Sequence, residues 1–191
     1  MLFRSVGYSR VLEIGEKATV TLENIIITGG TTQGNGGGAF VEGTLIMGKN
    51  SLITNSMATK GSGVYVANTG SLTMEDGSII GGNNVNGTMK TKTEGLGVYL
   101  TKGGKFYIRG KAKVQFPNDI FMDTGSLITV LEVATSELVG KITPKNYIVG
   151  ETLIISSALE SVHSKFKVTQ EEKNGKITEF YIDNKGTLQR Q

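Results

Sequence analysis

A three-residue pattern of apolar, variable, apolar recurs along this chain and constrains its fold more than any other feature. It stands as Leu12-Glu13-Ile14, Ala39-Phe40-Val41, Val64-Tyr65-Val66, Val98-Tyr99-Leu100 and Ile120-Phe121-Met122. A second triplet follows each copy: Val20-Thr21-Leu22, Leu45-Ile46-Met47, Leu72-Thr73-Met74, Phe106-Tyr107-Ile108 and Leu127-Ile128-Thr129. A third short segment follows in most copies, at residues 25–28, 51–54, 78–80 and 112–116. In a strand, alternate side chains share a face, so each triplet turns its outer residues one way and its middle residue the other. Glu13 identifies the solvent side, because an unpaired carboxylate is seldom buried. Only Thr129 then breaks the apolar inward rule.

Repeats of 22 to 34 residues with three short strands each predict an all-β, right-handed, single-stranded parallel β-helix of about five coils. Each strand pairs with its equivalents roughly 4.8 Å above and below, and only stacking gives the coils a common core. A β-propeller blade needs a longer repeat, and a leucine-rich repeat needs a signature that is missing here. The glycines at 36–38, 61, 63, 95 and 97 precede the first strand of a coil, where a sharp corner or close backbone approach requires them. No helix follows them, which argues against a phosphate-binding loop. The 27 glycines, two prolines and absence of tryptophan suit short strands joined by tight turns.

Past residue 130 the coil pattern fades. Residues 1–130 are expected to form the coils, and 131–191 a β-rich cap packed on the last of them, because a solenoid must cover its open edge. Within the cap, residues 165–169 and 176–183 are expected to form a hairpin around Glu-Glu-Lys-Asn-Gly-Lys.

Five phrases carry a family likeness: Gly-Ser-Gly-Val-Tyr-Val-Ala-Asn-Thr-Gly-Ser-Leu-Thr-Met-Glu-Asp-Gly-Ser-Ile-Ile from Gly61, Pro-Asn-Asp-Ile-Phe-Met-Asp-Thr-Gly-Ser-Leu-Ile-Thr-Val from Pro117, Val-Gly-Lys-Ile-Thr-Pro-Lys-Asn-Tyr-Ile-Val-Gly-Glu-Thr-Leu-Ile from Val139, Ser-Lys-Phe-Lys-Val-Thr-Gln from Ser164, and Phe-Tyr-Ile-Asp-Asn-Lys-Gly-Thr-Leu-Gln from Phe180. In this order they resemble the C-terminal portion of bacterial cell-surface β-helix repeat proteins, of the kind found in treponemes and gut anaerobes, within the wider pectin-lyase-like superfamily. The resemblance covers nearly the whole chain from Leu12. It implies a fragment of a longer exported protein, located at the cell surface or secreted, with an adhesin-like or scaffolding role. The superfamily also holds polysaccharide lyases and glycosidases.

Stacked coils turn sequence columns into surface ladders. Phe40, Tyr65, Tyr99 and Phe121 form an outward aromatic column that could stack on sugar rings, meet a protein partner or simply stabilise the sheet. Between residues 77 and 118 seven cations, Lys90, Lys92, Lys102, Lys105, Arg109, Lys111 and Lys113, face a single acid, Glu94. Such a run suits an acidic glycan, or is an ordinary solvated face. The connection at residues 81–95 is the longest and joins it as a binding candidate. A third set, Glu23, Glu75, Asp76 and Arg109, falls on adjacent columns at one corner, which should bring Glu75 to Arg109 and Lys49 to Asp76. Glu23 and Glu75 stand two coils apart, roughly 9.6 Å, close to the upper carboxylate separation for inverting glycoside hydrolysis. The plainer role is a ladder of surface ion pairs.

With no cysteine, disulfides, thiolate metal sites and cysteine nucleophiles are excluded. His163 is the only histidine, and no serine sits in a nucleophile elbow. Asp119 and Asp123 flank a strand without an acidic cluster, so no metal and no cofactor is expected. The net charge of +3 points to no particular partner; nucleic acid is not expected, and no apolar run is long enough to span a membrane as a helix. The residues favour a non-enzymatic module that binds a host-surface protein or a glycan. The alternative is a carbohydrate-active β-helix, either a lyase-like or glycosidase-like enzyme or a glycan binder.

Overall fold

A computed structural model of the chain describes residues 1–5, 7–84, 93–132 and 137–191. It is an all-β parallel solenoid. The first sheet runs through Leu12–Ile14, Ala39–Val41, Val64–Val66, Val98–Leu100, Ile120–Met122, Gly140–Pro144 and Phe166–Val168. The second runs through Thr19–Leu22, Thr44–Met47, Ser71–Met74, Lys105–Ile108, Ile128–Val130 and Ile154–Ser156. The third holds Leu2–Arg4, Ile26–Thr28, Leu52–Thr54, Ile79–Ile80 and Lys113–Val114. All five predicted coils are present, and Gly140–Pro144 with Ile154–Ser156 adds another turn in the same two sheets.

Strands of two to five residues are too short to persist alone. Their stability comes from stacking, which places Val41, Val66, Leu45, Leu72, Met47, Met74 and Ile53 in one core at 0 % exposure. Gly36, Gly61 and Gly95 take the same corner of successive coils with φ of 68°, 63° and 70°. A Cβ on any of them would lie 2.4 Å from a carbonyl oxygen three residues on, so positive φ and close approach together demand glycine.

One predicted register is corrected. Ile128 pairs with Phe106 and Val130 with Ile108, so the inward residues are Ile128 and Val130 rather than Leu127 and Thr129. Because side chains alternate, a slip of one residue exchanges the faces. Leu127 is exposed and Thr129 half-buried on the outer side, which removes the one polar residue from the inward set.

The predicted hairpin is corrected as well. Phe166–Val168 is apolar, charged, apolar like a coil triplet, and it pairs parallel with Gly140–Pro144. The turn belongs to a tighter pair, Glu171–Lys173 with Lys176–Thr178. There Asn174 and Gly175 take φ of 53° and 73°, the left-handed pair that a two-residue hairpin requires. A second hairpin, Phe180–Ile182 with Leu188–Arg190, and the helix Leu159–Val162 cover the last coils. Val162, Ile182 and Leu188 join the core.

Polar groups inside the solenoid form their own ladder. Ser56, Asn83 and Asn118 are buried on successive coils. The Ser56 amide donates to Asn83 Oδ1 at 3.1 Å, the Asn83 amide to Asn118 Oδ1 at 2.9 Å, and Asn118 Nδ2 to the Asn83 carbonyl at 2.9 Å. In the terminal hairpin, Asp183 accepts from the Lys185 and Thr187 amides, the Thr187 hydroxyl and Gln189 Nε2. Burial pushes the Asp183 carboxyl up, but the bonds from Thr187, Lys185 and Gln189 outweigh it and hold the pKa down to about 2.

Asn118→Ala strands the buried Asn83 amide and should cost about 1–3 kcal/mol, read from urea unfolding. The depressed Asp183 pKa makes the hairpin's gain complete above pH ~4, the ordinary carboxylate value. That gain is lost as pH falls through about 2; the amide NMR shifts of Lys185 and Thr187 followed against pH should report it.

Candidate functional site

The middle residue of each first-sheet triplet faces outward, and exact register places these residues side by side. Phe40 pairs with Tyr65, Tyr65 with Tyr99, and Tyr99 with Phe121. Their rings stack, with centroids 5.3, 5.2 and 4.9 Å apart and planes within 3°, 20° and 17°. This is the offset arrangement the ring quadrupole favours. The expected strip therefore exists, but its exposure is uneven. Phe40 and Tyr65 are half-buried, whereas Tyr99 is only 2 % and Phe121 8 % exposed. The outward direction does not leave those two rings free, because neighbouring rings and flanking side chains cover them.

Charges flank the strip. The Arg10 guanidinium lies 4.7 Å from the Phe40 centroid and binds Glu13 at 2.9 Å. Lys60 Nζ sits 4.8 Å from the Tyr99 centroid, 3.3 Å from its hydroxyl and 3.4 Å from Glu94. Beside them, Asp123 Oδ1 accepts from the Tyr99 hydroxyl at 3.2 Å and from Lys145 Nζ at 2.9 Å. Burial, then the charge and hydrogen bond of Asp123, push the Tyr99 phenol well above its ordinary range. Burial also raises Tyr65. The Lys145 ammonium is raised by its hydrogen bond to Asp123 and by that group's charge.

At its Phe121 end the strip opens into a hollow of about 390 Å³. Asp119 organises one wall, with Oδ1 accepting from the Leu96 amide at 2.7 Å and Oδ2 from the Thr143 hydroxyl at 2.6 Å. Tyr147 forms another wall. Its hydroxyl is hydrogen-bonded to Thr169, its ring packs on Phe180 at 4.9 Å, and burial raises its pKa.

The carboxylate set is brought together only in part. Arg109 Nε lies 3.0 Å from Glu75 Oε2 as predicted, and Arg109 also reaches Glu132 at 3.4 Å. No ion pair joins Lys49 to Asp76 among the described residues; Asp76 Oδ1 instead accepts the Lys111 amide at 2.7 Å. Glu23 stands at the exposed end of the column, with Gly48 between it and Glu75. Surface pairs of this kind contribute about 0–1 kcal/mol. No group of three or more metal-ligating side chains occurs among the described residues. His163 Nδ1 is committed to the Leu159 carbonyl at 2.9 Å.

The basic run does not make one patch. Lys102 lies at the turn between the first and second sheets and Lys105 opens the second-sheet strand, whereas Arg109 and Lys111 follow that strand to the next corner, where Lys113 opens the third-sheet strand. Lys90 and Lys92, with most of the long connection, lie outside the described residues. Sequence reasoning missed Lys60 beside Glu94, although both stand immediately before a corner glycine and are bridged in register. It also missed Lys141, Thr143 and Tyr147, which arrive from the turn beyond residue 130.

The fold and this face define a parallel β-solenoid bearing an outer aromatic ladder. No protein-family model, curated protein or solved structure matches the chain.

Tyr99→Phe should remove the highest-pH part of the phenolate absorbance titration. With a native pKa above the unfolded value, Tyr99 keeps a proton that the unfolded chain releases near pH ~10. Its stabilising contribution is thus present below that pH and declines above it, as denaturation measured across the alkaline range should show.

Proposed function

We propose that the chain is a non-enzymatic bacterial surface or secreted β-solenoid module that binds a glycan through the outer face of its first sheet. The carrying observation is the strip of four stacked rings running into a hollow of the same face. Pre-organised aromatic surfaces lose little entropy on binding, and concave sites with a few convergent polar groups are where small ligands lodge. The cell-surface assignment rests on the resemblance of the coil and C-terminal phrases to surface β-helix repeat proteins. An adhesin-like role toward a host partner follows from that resemblance. The carbohydrate-active alternative, through Glu23, Glu75, Asp76 and Arg109, has less support, since Arg109 and the Lys111 amide already engage Glu75 and Asp76.

A glycan array probed at low and high salt tests this reading. Retention of at least one glycan class is expected, with weak salt dependence because the lysines are divided between two corners. Tyr65→Ser should reduce retention without changing the circular dichroism. An array with no retained glycan at either salt concentration would sink the proposal.

A further inference from the structure

The outward column of the first sheet changes character at one coil. After Phe40, Tyr65, Tyr99 and Phe121 the next residue in register is Thr143. A threonine cannot continue an aromatic stack, and the space it leaves belongs to the hollow of about 390 Å³. Within the stack the rings are parallel to within 20° at 4.9 to 5.3 Å, so each inner ring has a ring neighbour on both sides. At the opposite end Arg10 lies over Phe40. Phe121 is therefore the one ring of the four that has a ring neighbour on one side only and no cation over it. Phe121 is 8 % exposed and lines the hollow, so a ligand seated there meets the uncovered margin of this ring.

The polar groups around Phe121 narrow the ligand further. Both Asp119 oxygens already accept one hydrogen bond each, and a carboxylate has about four acceptor sites, so each keeps one. Glu94 meets Lys60 through Oε2, leaving Oε1. Lys141 lines the hollow and is in no ion pair among the described residues; its Nζ lies over the Phe116 ring, 5.8 Å from the centroid. Leu96 and Pro117 supply apolar wall. Glu94 is already paired with Lys60, so Asp119 and Lys141 leave the hollow with balanced charge and no pull on an anion, and acceptors and donors around an apolar floor suit a ring with one C–H face and a rim of hydroxyls. The volume lies near the lower end for small-molecule sites, about 300–1,000 Å³, which suits one ring rather than a chain.

We propose that this hollow binds the terminal pyranose ring of a neutral glycan. Its C–H face lies toward Phe121 and Leu96, its hydroxyls donate to Asp119 and Glu94, and Lys141 donates to one of its oxygens. The proposal rests on the glycan-binding reading above and narrows it from the whole strip to its end, and from glycans generally to neutral ones.

Methyl glycosides of glucose, galactose and mannose, with methyl glucuronide as the charged counterpart, are the probes. Titration into the ¹⁵N-labelled protein should show at least one neutral glycoside binding at millimolar concentration and shifting the Leu96 and Thr143 amides. Methyl glucuronide should bind about tenfold more weakly, a difference of about 1.4 kcal/mol. Thr143→Phe, which fills the hollow by extending the stack, should abolish binding while leaving the fold intact. Lys141→Met, at a half-exposed site, should weaken it severalfold and keeps the test decisive if the first variant misfolds. Equal or tighter binding of the glucuronide, or unchanged affinity in a folded variant, would overturn the proposal. If glycans are retained on the array but Thr143→Phe and Lys141→Met leave retention unchanged, this site fails while glycan binding stands; no retained glycan removes both.

Discussion

A strand in this solenoid finds its hydrogen-bonding partners not beside it in the chain but one coil before and one coil after. Leu45, for example, is aligned with Val20 below and Leu72 above. Because strands of two to five residues gain little on their own, each coil is held by its neighbours, and register is fixed residue by residue. A core position must then offer nearly the same volume in every coil, which is why Leu22, Met47, Met74 and Ile108 succeed one another while the connections vary in length. The corners obey the same rule: Gly36, Gly61 and Gly95 repeat one positive-φ bend because each must deliver the next strand to the same place.

Fixed register also decides the outer surface. Whatever the outward position carries is brought to within a strand spacing of the same position on the next coil, about 4.8 Å. Aromatic residues at that spacing stack, and each cross-strand pair contributes about 0.2–1 kcal/mol, so the strip stabilises the sheet whether or not it binds anything. Charges at that spacing pair when opposite, as Lys60 with Glu94 and Lys145 with Asp123. These pairs also order the strip, since Lys60 and Asp123 approach the Tyr99 hydroxyl at 3.3 and 3.2 Å.

The coil strands and the aromatic ladder were legible in sequence because both depend on local alternation and on a repeated column. The Glu75–Arg109 pair was legible for the same reason. Leu127 to Val130 was not, since Leu, Ile and Val stand close enough that two registers each offer apolar residues, and only pairing with Phe106 and Ile108 chooses between them. Lys49 and Asp76 share a corner column, yet Asp76 turns to a backbone amide, and column position alone does not fix side-chain direction at a bend. Phe166-Lys167-Val168 carried the coil pattern and was obscured by the hairpin signal that follows it. The hollow was hidden for a different reason. Its walls, Asp119, Thr143, Tyr147 and Thr169, come from successive turns with unequal connections, so their meeting depends on three dimensions rather than on spacing.

A uniform solenoid has no privileged position along its axis, because each coil presents the same profile as the next. Specific binding needs a break in that uniformity. Here the break is chemical before it is geometric: the outward column passes from phenylalanine to threonine between Phe121 and Thr143, so the ladder loses the bulk of a ring within one strand spacing. The following turns then fold side chains across the step, with Tyr147 fixed by Phe180 and Thr169. The same register that makes the ladder continuous makes its ending abrupt, and an abrupt ending between a stacked ring and a short hydroxyl side chain is what turns a flat sheet face into a concave one.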